Sequence, residues 1–219
     1  MASQTEENYL KSLFNLANQT GEVNISELAS QMEVSMPTVN SMVKTLQKNG
    51  WLIYEKYKPV TLTPSGKKEA ALIIRKHRLT EMYLVNKMGF GWEEVHEIAE
   101  QVEHIHAPKF FERMDEMMGF PTKDPHGSPI PDKLGRMQEV HYLTLSKCKV
   151  GQQVLLAALT NSSTEFLEFL NSRDLSLGTE LEIIFIENYD QSMVVNYNNH
   201  NTETLSEKVC DRLLVRVIA

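Results

Sequence analysis

A chain of 219 residues, 42% hydrophobic and 23% charged, has the make-up of an ordinary globular protein of two or three small domains. No apolar run approaches the ~18 residues of a membrane span, and MASQTEEN lacks the basic and apolar regions of a signal peptide, so a cytoplasmic location is expected. The net charge of −7 argues against nucleic acid until it is mapped: residues 1–78 carry +3, 79–140 carry −6 and 141–219 carry −4, a mildly basic head on an acidic body.

The first predicted helix is SQTEENYLKSLFNLANQTG. Ser3 and Glu6 form a capping box, Leu10, Leu13, Phe14 and Ala17 make an apolar stripe, and Gly21 follows the end. NISELASQM reads as a second, short helix boxed by Asn24 and Glu27. VSMPTVNSMVKTLQKNG is the third, with Ser35 as N-cap, Pro37 in the first turn, Val39, Met42, Val43 and Leu46 inward, and Gly50 after the end. Two short capped helices joined by a tight turn predict a helix-turn-helix.

WLIYEKYKPVTLTPSG then reads as a hairpin around Tyr57, Lys58 and Pro59. A helix-turn-helix followed in register by a hairpin is a winged helix, and this module points to double-stranded DNA. The second helix of the pair exposes Thr38, Asn40, Ser41, Lys44 and Lys48 to the major groove, while Lys56 and Lys58 on the wing suit phosphates.

Three more helical segments follow. SGKKEAALIIRKHRLTEMYLVNKMG buries Leu72, Ile73, Leu79, Met82, Tyr83 and Leu84; GWEEVHEIAEQVEHIH is taken as one helix; PKFFERMDEMMG is the third. An apolar helical set behind a DNA-binding head predicts a dimer interface, with two recognition helices set for half-sites about one turn of DNA apart. FPTKDPHGSPIPDKLG, rich in Pro and Gly, reads as a boundary linker. Beyond about residue 141, runs such as VGQQVLLAAL, TELEIIFIE, SMVVNY and RLLVRVI surround one helix, STEFLEFLN. Five short strands with one helix suggest a small barrel.

Chemistry concentrates in the middle. Four of the seven histidines lie between His77 and His106. His96, Glu100, Glu103 and His104 span roughly 100° of a helix face, and His77 and Glu81 recur four residues apart one helix upstream. Imidazole and carboxylate hold first-row divalent metals. Glu100, Glu103 and His104 with a donor from the first helix give an oxygen-rich sphere suited to manganese(II) or iron(II), while His77, Glu81 and His96 form a candidate second site. His106, His126, His141 and His200 are read as structural or exposed. The two cysteines, Cys148 and Cys210, lie far from this cluster and read as free buried thiols, which excludes a zinc-thiolate or disulfide framework. A hydrolytic metal enzyme is the weaker alternative, since no His-Glu-x-x-His motif occurs. A winged-helix regulator responding to a non-metal small ligand is the other.

The segments ENYLKSLFNL, SMPTVNSMVKTL, LTPSGKKEA, RKHRLTE, VHEIAEQVEHI and GSPIPDKLG occur in the order and at the separations of one family. From Tyr9 nearly to its end the chain resembles the diphtheria toxin repressor family of metal-dependent transcriptional regulators. Its last part, through VGQQVLLAALTN and LSLGTELEIIF, resembles the FeoA-type, Src-homology-3-like barrel of the longer members. The resemblance implies a multidomain fold, mainly α with a small β-barrel. A winged helix-turn-helix would occupy residues 1–64, a helical metal-binding and dimerisation domain with its Pro-rich linker 65–140, and the barrel 141–219.

It also implies roles. Glu100, Glu103 and His104 fall on the primary regulatory metal site, with Asn8 where the first helix supplies its ligand. His77, Glu81 and His96 fall on the ancillary site, to which Glu165 of the barrel is a further candidate ligand. Ser35, Pro37, Thr38, Asn40, Ser41 and Lys44 belong to the DNA-facing helix. Glu100 stands where iron sensors carry cysteine and manganese sensors glutamate; Asn8 replaces a methionine or aspartate; Lys11 replaces a carboxylate of the shorter manganese sensors. The expected function is a non-enzymatic repressor that binds operator DNA as a homodimer when loaded with manganese(II) or iron(II), acting on metal-homeostasis genes.

Overall fold

A computed structural model describes residues 2–160 and 162–218, without the side chains of residues 18–20. The chain divides into two compact units, one of Met1–Thr80, Glu97–Thr122 and Ile130–Gln138, the other of Glu81–His96, Lys123–Pro129 and Glu139–Ala219.

The first unit begins with helices α1 (Gln4–Thr20), α2 (Ile25–Gln31) and α3 (Met36–Lys48). The Ser3/Glu6 box caps α1, and Gly21 ends it at φ 79°, a left-handed stop that glycine adopts without a Cβ clash. Ser35 caps α3, accepting from Thr38 N, with Pro37 in the first turn. Strands β1 (Leu52–Ile53) and β2 (Thr61–Leu62) pair antiparallel and are shorter than the runs that announced them. Tyr9, Leu10, Leu13, Leu28, Val39, Val43, Leu46, Leu52, Val60 and Ile73 form one core. Each predicted stripe meets the others there, which is why three short helices hold together.

Helix α4 (Pro64–Tyr83) starts behind Thr63, whose hydroxyl accepts from Gly66 N at 3.0 Å and donates to Gly50 O at 2.8 Å. The segment expected to stay helical to Gly89 changes at Leu84 into a π-helical turn, Leu84–Met88. The predicted helix over residues 91–106 is also shorter: α5 covers His96–Val102. Before it, Gly91 closes a separate turn, its N–H donating to Glu94 Oε2 at 2.8 Å. After it, Glu103 N still donates to Ala99 O at 2.9 Å, so Glu103 keeps helical phase although the helix is ending. Helix α6 (Pro108–Met117) follows.

In the second unit, β3 (Leu143–Thr144), β4 (Gln153–Leu159), β5 (Glu180–Ile186), β6 (Met193–Tyr197), β7 (His200–Leu205) and β8 (Leu213–Val217) form one antiparallel sheet in the order β3-β8-β4-β5-β6-β7. Helices α7 (Thr164–Asn171) and α8 (Glu207–Cys210) accompany it. Six described strands replace the expected five, and two helices the expected one. The strands with no run named for them in the sequence are β3, two residues long, and β7, an edge strand of sequence HNTETL without hydrophobic alternation. Leu156, Leu167, Leu170, Leu181, Ile183, Val195, Leu213 and Val215 make this unit's core.

The expected linker is not loose. Asp124 Oδ1 accepts from His126 N and Ser128 N, both at 2.9 Å, which folds residues 124–128 into a tight loop with Asp124 and His126 buried. His126 O accepts from Leu159 N at 3.0 Å. Gly127, at φ 85°, lies so close to Ala157 and Ala158 that a Cβ would strike the β4 backbone. Pro and Gly here build a docked loop, which composition alone reads as a spacer.

Candidate metal centre

Three segments of the first unit converge on one polar cluster. Helix α1 supplies Glu7, Asn8 and Lys11, which share a face through the i, i+3 and i, i+4 spacings; α4 supplies Lys76 and His77; α5 and the turn after it supply Glu100, Glu103 and His104. Glu103 is fully buried, and Glu7 and His77 are buried too.

Lys11 Nζ lies 2.5 Å from Glu100 Oε1 and 2.7 and 2.9 Å from the two oxygens of Glu103. His77 Nδ1 lies 2.6 Å from Glu103 Oε2. Burial opposes ionisation of Glu103, but the hydrogen bond from His77 and the charge of Lys11 outweigh it. The carboxyl is held below the usual range.

His104 is oriented from the other side. Its Nδ1 meets Glu7 Oε2 at 2.5 Å, and Lys76 Nζ stands 3.6 Å from the other Glu7 oxygen. A carboxylate oxygen only accepts, so Nδ1 carries the proton and Nε2 presents its lone pair. Nε2 is buried, has no hydrogen-bond partner, and lies 3.7 Å from Glu103 Oε1. Asn8 Oδ1 is likewise buried without a partner. An unsatisfied buried acceptor costs about 1–3 kcal/mol; His104 Nε2 beside Glu103, and Asn8 Oδ1 on the helix that carries Glu7 and Lys11, are two such groups, suited to an electrophile.

The residues present fit a divalent cation. Their donors are a neutral amide oxygen, two carboxylates and an imidazole nitrogen, with no sulfur, a set suited to manganese(II) or iron(II). A carboxylate holding the far nitrogen of a ligating histidine is the usual support of such a site. Glu7 was not anticipated from sequence; its signal was only a glutamate beside Asn8 on the same helix. His77, expected at the ancillary site, has its Nδ1 on Glu103.

The second unit holds another cluster. Glu81, Asp124 and His126, all buried, bring one ligand atom each within 4.8 Å of one another. Glu81 Oε1 is 3.4 Å from His96 Nδ1, and its Oε2 is 3.8 Å from His126 Nδ1. His126 Nε2 meets Trp92 O at 2.9 Å. A carbonyl only accepts, so the proton sits on Nε2 and Nδ1 is left to face the carboxylates. His126, expected to be structural or exposed, is therefore a candidate ligand, and Asp124 was missed because it sat in the presumed linker. Glu165 is exposed on the first turn of α7, beside Phe169, Lys208 and Arg212. Among the described residues it joins no group of three such ligand atoms.

On α3, Pro37, Thr38, Ser41 and Lys44 are exposed, and the Ser35 and Thr38 hydroxyls lie 2.8 Å apart. Asn40, expected to face DNA, has its amide nitrogen donating to Met36 O at 3.0 Å and its oxygen accepting from Tyr54 OH at 3.1 Å.

Three family profiles match in succession. Residues 1–60 match the iron-dependent repressor N-terminal DNA-binding domain, residues 63–132 the iron-dependent repressor metal-binding and dimerisation domain, and residues 143–217 the FeoA domain. The HTH-type transcriptional regulator MntR of Bacillus pumilus (strain SAFR-032) is 30% identical over 120 residues, 55% of this chain and 83% of its own length. The chain belongs to the diphtheria toxin repressor family of metal-dependent regulators.

Among other members of the family, the iron-dependent repressor IdeR of Mycobacterium leprae (strain TN) is 34% identical over 130 residues, 59% of this chain. That match spans little more than half of the relative, 56% of its length. A solved structure of a manganese-dependent transcriptional repressor in complex with manganese superposes with a TM-score of 0.86 at 28% identity, covering 97% of this chain and all of the other.

Proposed function

We propose that this family member is a repressor that binds operator DNA as a homodimer when loaded with manganese(II) or iron(II), in the cytoplasm, and so controls metal-homeostasis genes. The observation that carries the reading is the pair of buried, partnerless acceptors, Asn8 Oδ1 and His104 Nε2, contributed by segments far apart in sequence. Asn8, Glu100, Glu103 and His104 are the proposed primary ligands. His77, Glu81, His96 and Glu165 are the proposed ancillary set, to which the geometry adds Asp124 and His126. Ser35, Pro37, Thr38, Asn40, Ser41 and Lys44 are the proposed DNA-facing residues, with Asn40 acting by holding Tyr54.

A divalent cation at the primary site would supply the positive charge that draws these donors together. The chain's own residues do the rest. Asn8 sits between Glu7 and Leu10, and Leu10 is part of the core of the DNA-binding head. Anything that fixes Asn8 against Glu103 and His104 therefore fixes α1, and with it α3 through their shared core. If only that arrangement spaces two recognition helices for two half-sites, metal and operator favour the same state, and each raises the affinity of the other. The division at residues 64 and 140 belongs to the same reading and is supported by the three profile boundaries; a Src-homology-3-like closure of the FeoA sheet into a barrel is proposed with it.

The test is fluorescence anisotropy with a duplex selected by the protein from a random 30-base-pair pool. Manganese is expected to tighten binding at least tenfold, and Glu103→Ala and His104→Ala to abolish the response. Equal affinity with and without metal overturns it. One observation favours a second reading: a cavity of about 390 Å³ in the first unit, lined by Leu10, Leu72, Ile73, Ile105 and Phe111, could take an organic effector. Metal-insensitive DNA binding would select that alternative.

A further inference from the structure

The hairpin after α3 ends in an aromatic residue that the fold itself does not use. Tyr57 is 89% exposed. It sits in a turn closed by Lys58 N donating to Glu55 O at 3.0 Å, with Lys56 and Tyr57 as the central pair. Tyr57 is the second of these and has φ 68°. That position of a turn normally takes glycine or asparagine, because a Cβ crowds the backbone at positive φ. The chain thus places a bulky, water-exposed ring where both solvation and backbone geometry disfavour it. Strain kept at an exposed tip is a mark of function.

The tip is also pre-organised. Lys56 Nζ lies 4.7 Å from the centroid of the Tyr57 ring. The root of the hairpin is tied to the recognition helix at two points: Tyr54 OH donates to Asn40 Oδ1 at 3.1 Å, and Gln47 Nε2 donates to Tyr54 O at 2.9 Å. The root of the wing is thereby anchored to α3, three residues from Tyr57.

We propose that Tyr57 is a DNA-contacting residue of this chain: its ring enters the minor groove beside the half-site read by α3, with Lys56 and Lys58 on the flanking phosphates. A flat ring with a terminal hydroxyl suits that groove, whose walls are sugars and whose floor presents acceptors at A·T pairs. The proposal rests on the DNA-binding reading above and adds the residue and the groove.

The experiment uses full-length protein with manganese and the pool-selected duplex. Tyr57→Gly removes the ring and relieves the turn, so its two effects should have opposite signs. The thermal midpoint is expected to rise by roughly 2–4 °C, while operator affinity falls about tenfold, the scale of losing one direct DNA contact. Hydroxyl-radical protection of the minor groove beside the half-site should disappear. Tyr57→Phe should keep most of the affinity, and the salt dependence of Tyr57→Gly should match wild type, whereas Lys56→Ala lowers the slope by about one. Tyr57→Gly binding within twofold of wild type overturns the proposal, as does unchanged minor-groove protection. If wild-type protein selects no duplex at all, the DNA-binding reading itself fails.

Discussion

Glu7 grips His104 across 97 residues of sequence, Oε2 to Nδ1 at 2.5 Å, and this contact decides which imidazole nitrogen is left to bind. With the Nδ1 proton donated to its carboxylate partner, Nε2 becomes the buried lone pair beside Glu103. Glu7→Ala should leave the helices intact by circular dichroism yet weaken manganese binding about 10–100-fold, the usual effect of removing the group that holds a ligating histidine. Calorimetric titration reads it. Unchanged affinity would mean that His104 needs no such support.

Lys11 answers a different need. Its ammonium touches both the partly exposed Glu100 and the fully buried Glu103, and for Glu103 it is, with His77, the compensation that burial demands. Lys11→Met should destabilise the metal-free protein by on the order of 3 kcal/mol, the cost of stranding a buried charge. Manganese should restore most of that loss, making the metal-induced rise in thermal midpoint larger in the variant than in wild type. Equal rises would rule out any exchange of roles between the ammonium and the ion.

The same pair sets a pH dependence. Glu103 titrates lower in the folded protein than in the unfolded chain, because the His77 hydrogen bond and Lys11 outweigh its burial. The unfolded state therefore takes up its proton first on acidification. Stability from this group is complete above the ordinary glutamate range and drains away as pH falls through the folded value. Chemical denaturation of metal-free protein from pH 7 to pH 3 should show an acid loss that is smaller in Glu103→Gln. An identical slope in the two proteins would assign the loss to other carboxylates.

Much of this was legible in the chain because local rules and tertiary packing agree. The capping residues Ser3, Asn24 and Ser35 and the stripe of Val39, Val43 and Leu46 state the helix-turn-helix before any fold is seen. The two glutamates and the histidine at 100, 103 and 104 could be picked out as a cluster because helical phase survives even where α5 is ending. What stayed hidden depends on contacts distant in sequence. Nothing local marks Glu7 as the partner of His104, or shows that His77 Nδ1 meets Glu103. Asp124 and His126 lie in a Pro- and Gly-rich stretch whose composition resembles a spacer; only the seating of Gly127 against β4 makes it a wall of a site.

Both thiols are buried and free. Burial raises the Cys148 thiol, and burial with the neighbouring Asp211 charge pushes Cys210 up to about 12. The reactive species is the thiolate, so Cys210 should resist a disulfide reagent at pH 8 for as long as the protein is folded. Two equivalents should react in denaturant. Rapid labelling of native protein would place at least one sulfur at the surface.

The buried trio of Glu81, Asp124 and His126 has a reporter built beside it. The indole of Trp92 stacks on the His126 ring, centroids 6.0 Å apart and planes 24° from parallel, and its carbonyl fixes the His126 tautomer. A cation held by this trio lies close enough to perturb the indole, and manganese(II), being paramagnetic, should quench it. In a Trp51→Phe background, which leaves Trp92 alone, titration with manganese is expected to lower the emission in a saturable way. Asp124→Asn and His126→Ala should abolish that response and reduce the bound metal by one equivalent per chain, while the contacts of Glu7, Lys11 and His104 stay untouched. Full quenching in both variants would mean that the signal arises elsewhere and that the trio holds no ion.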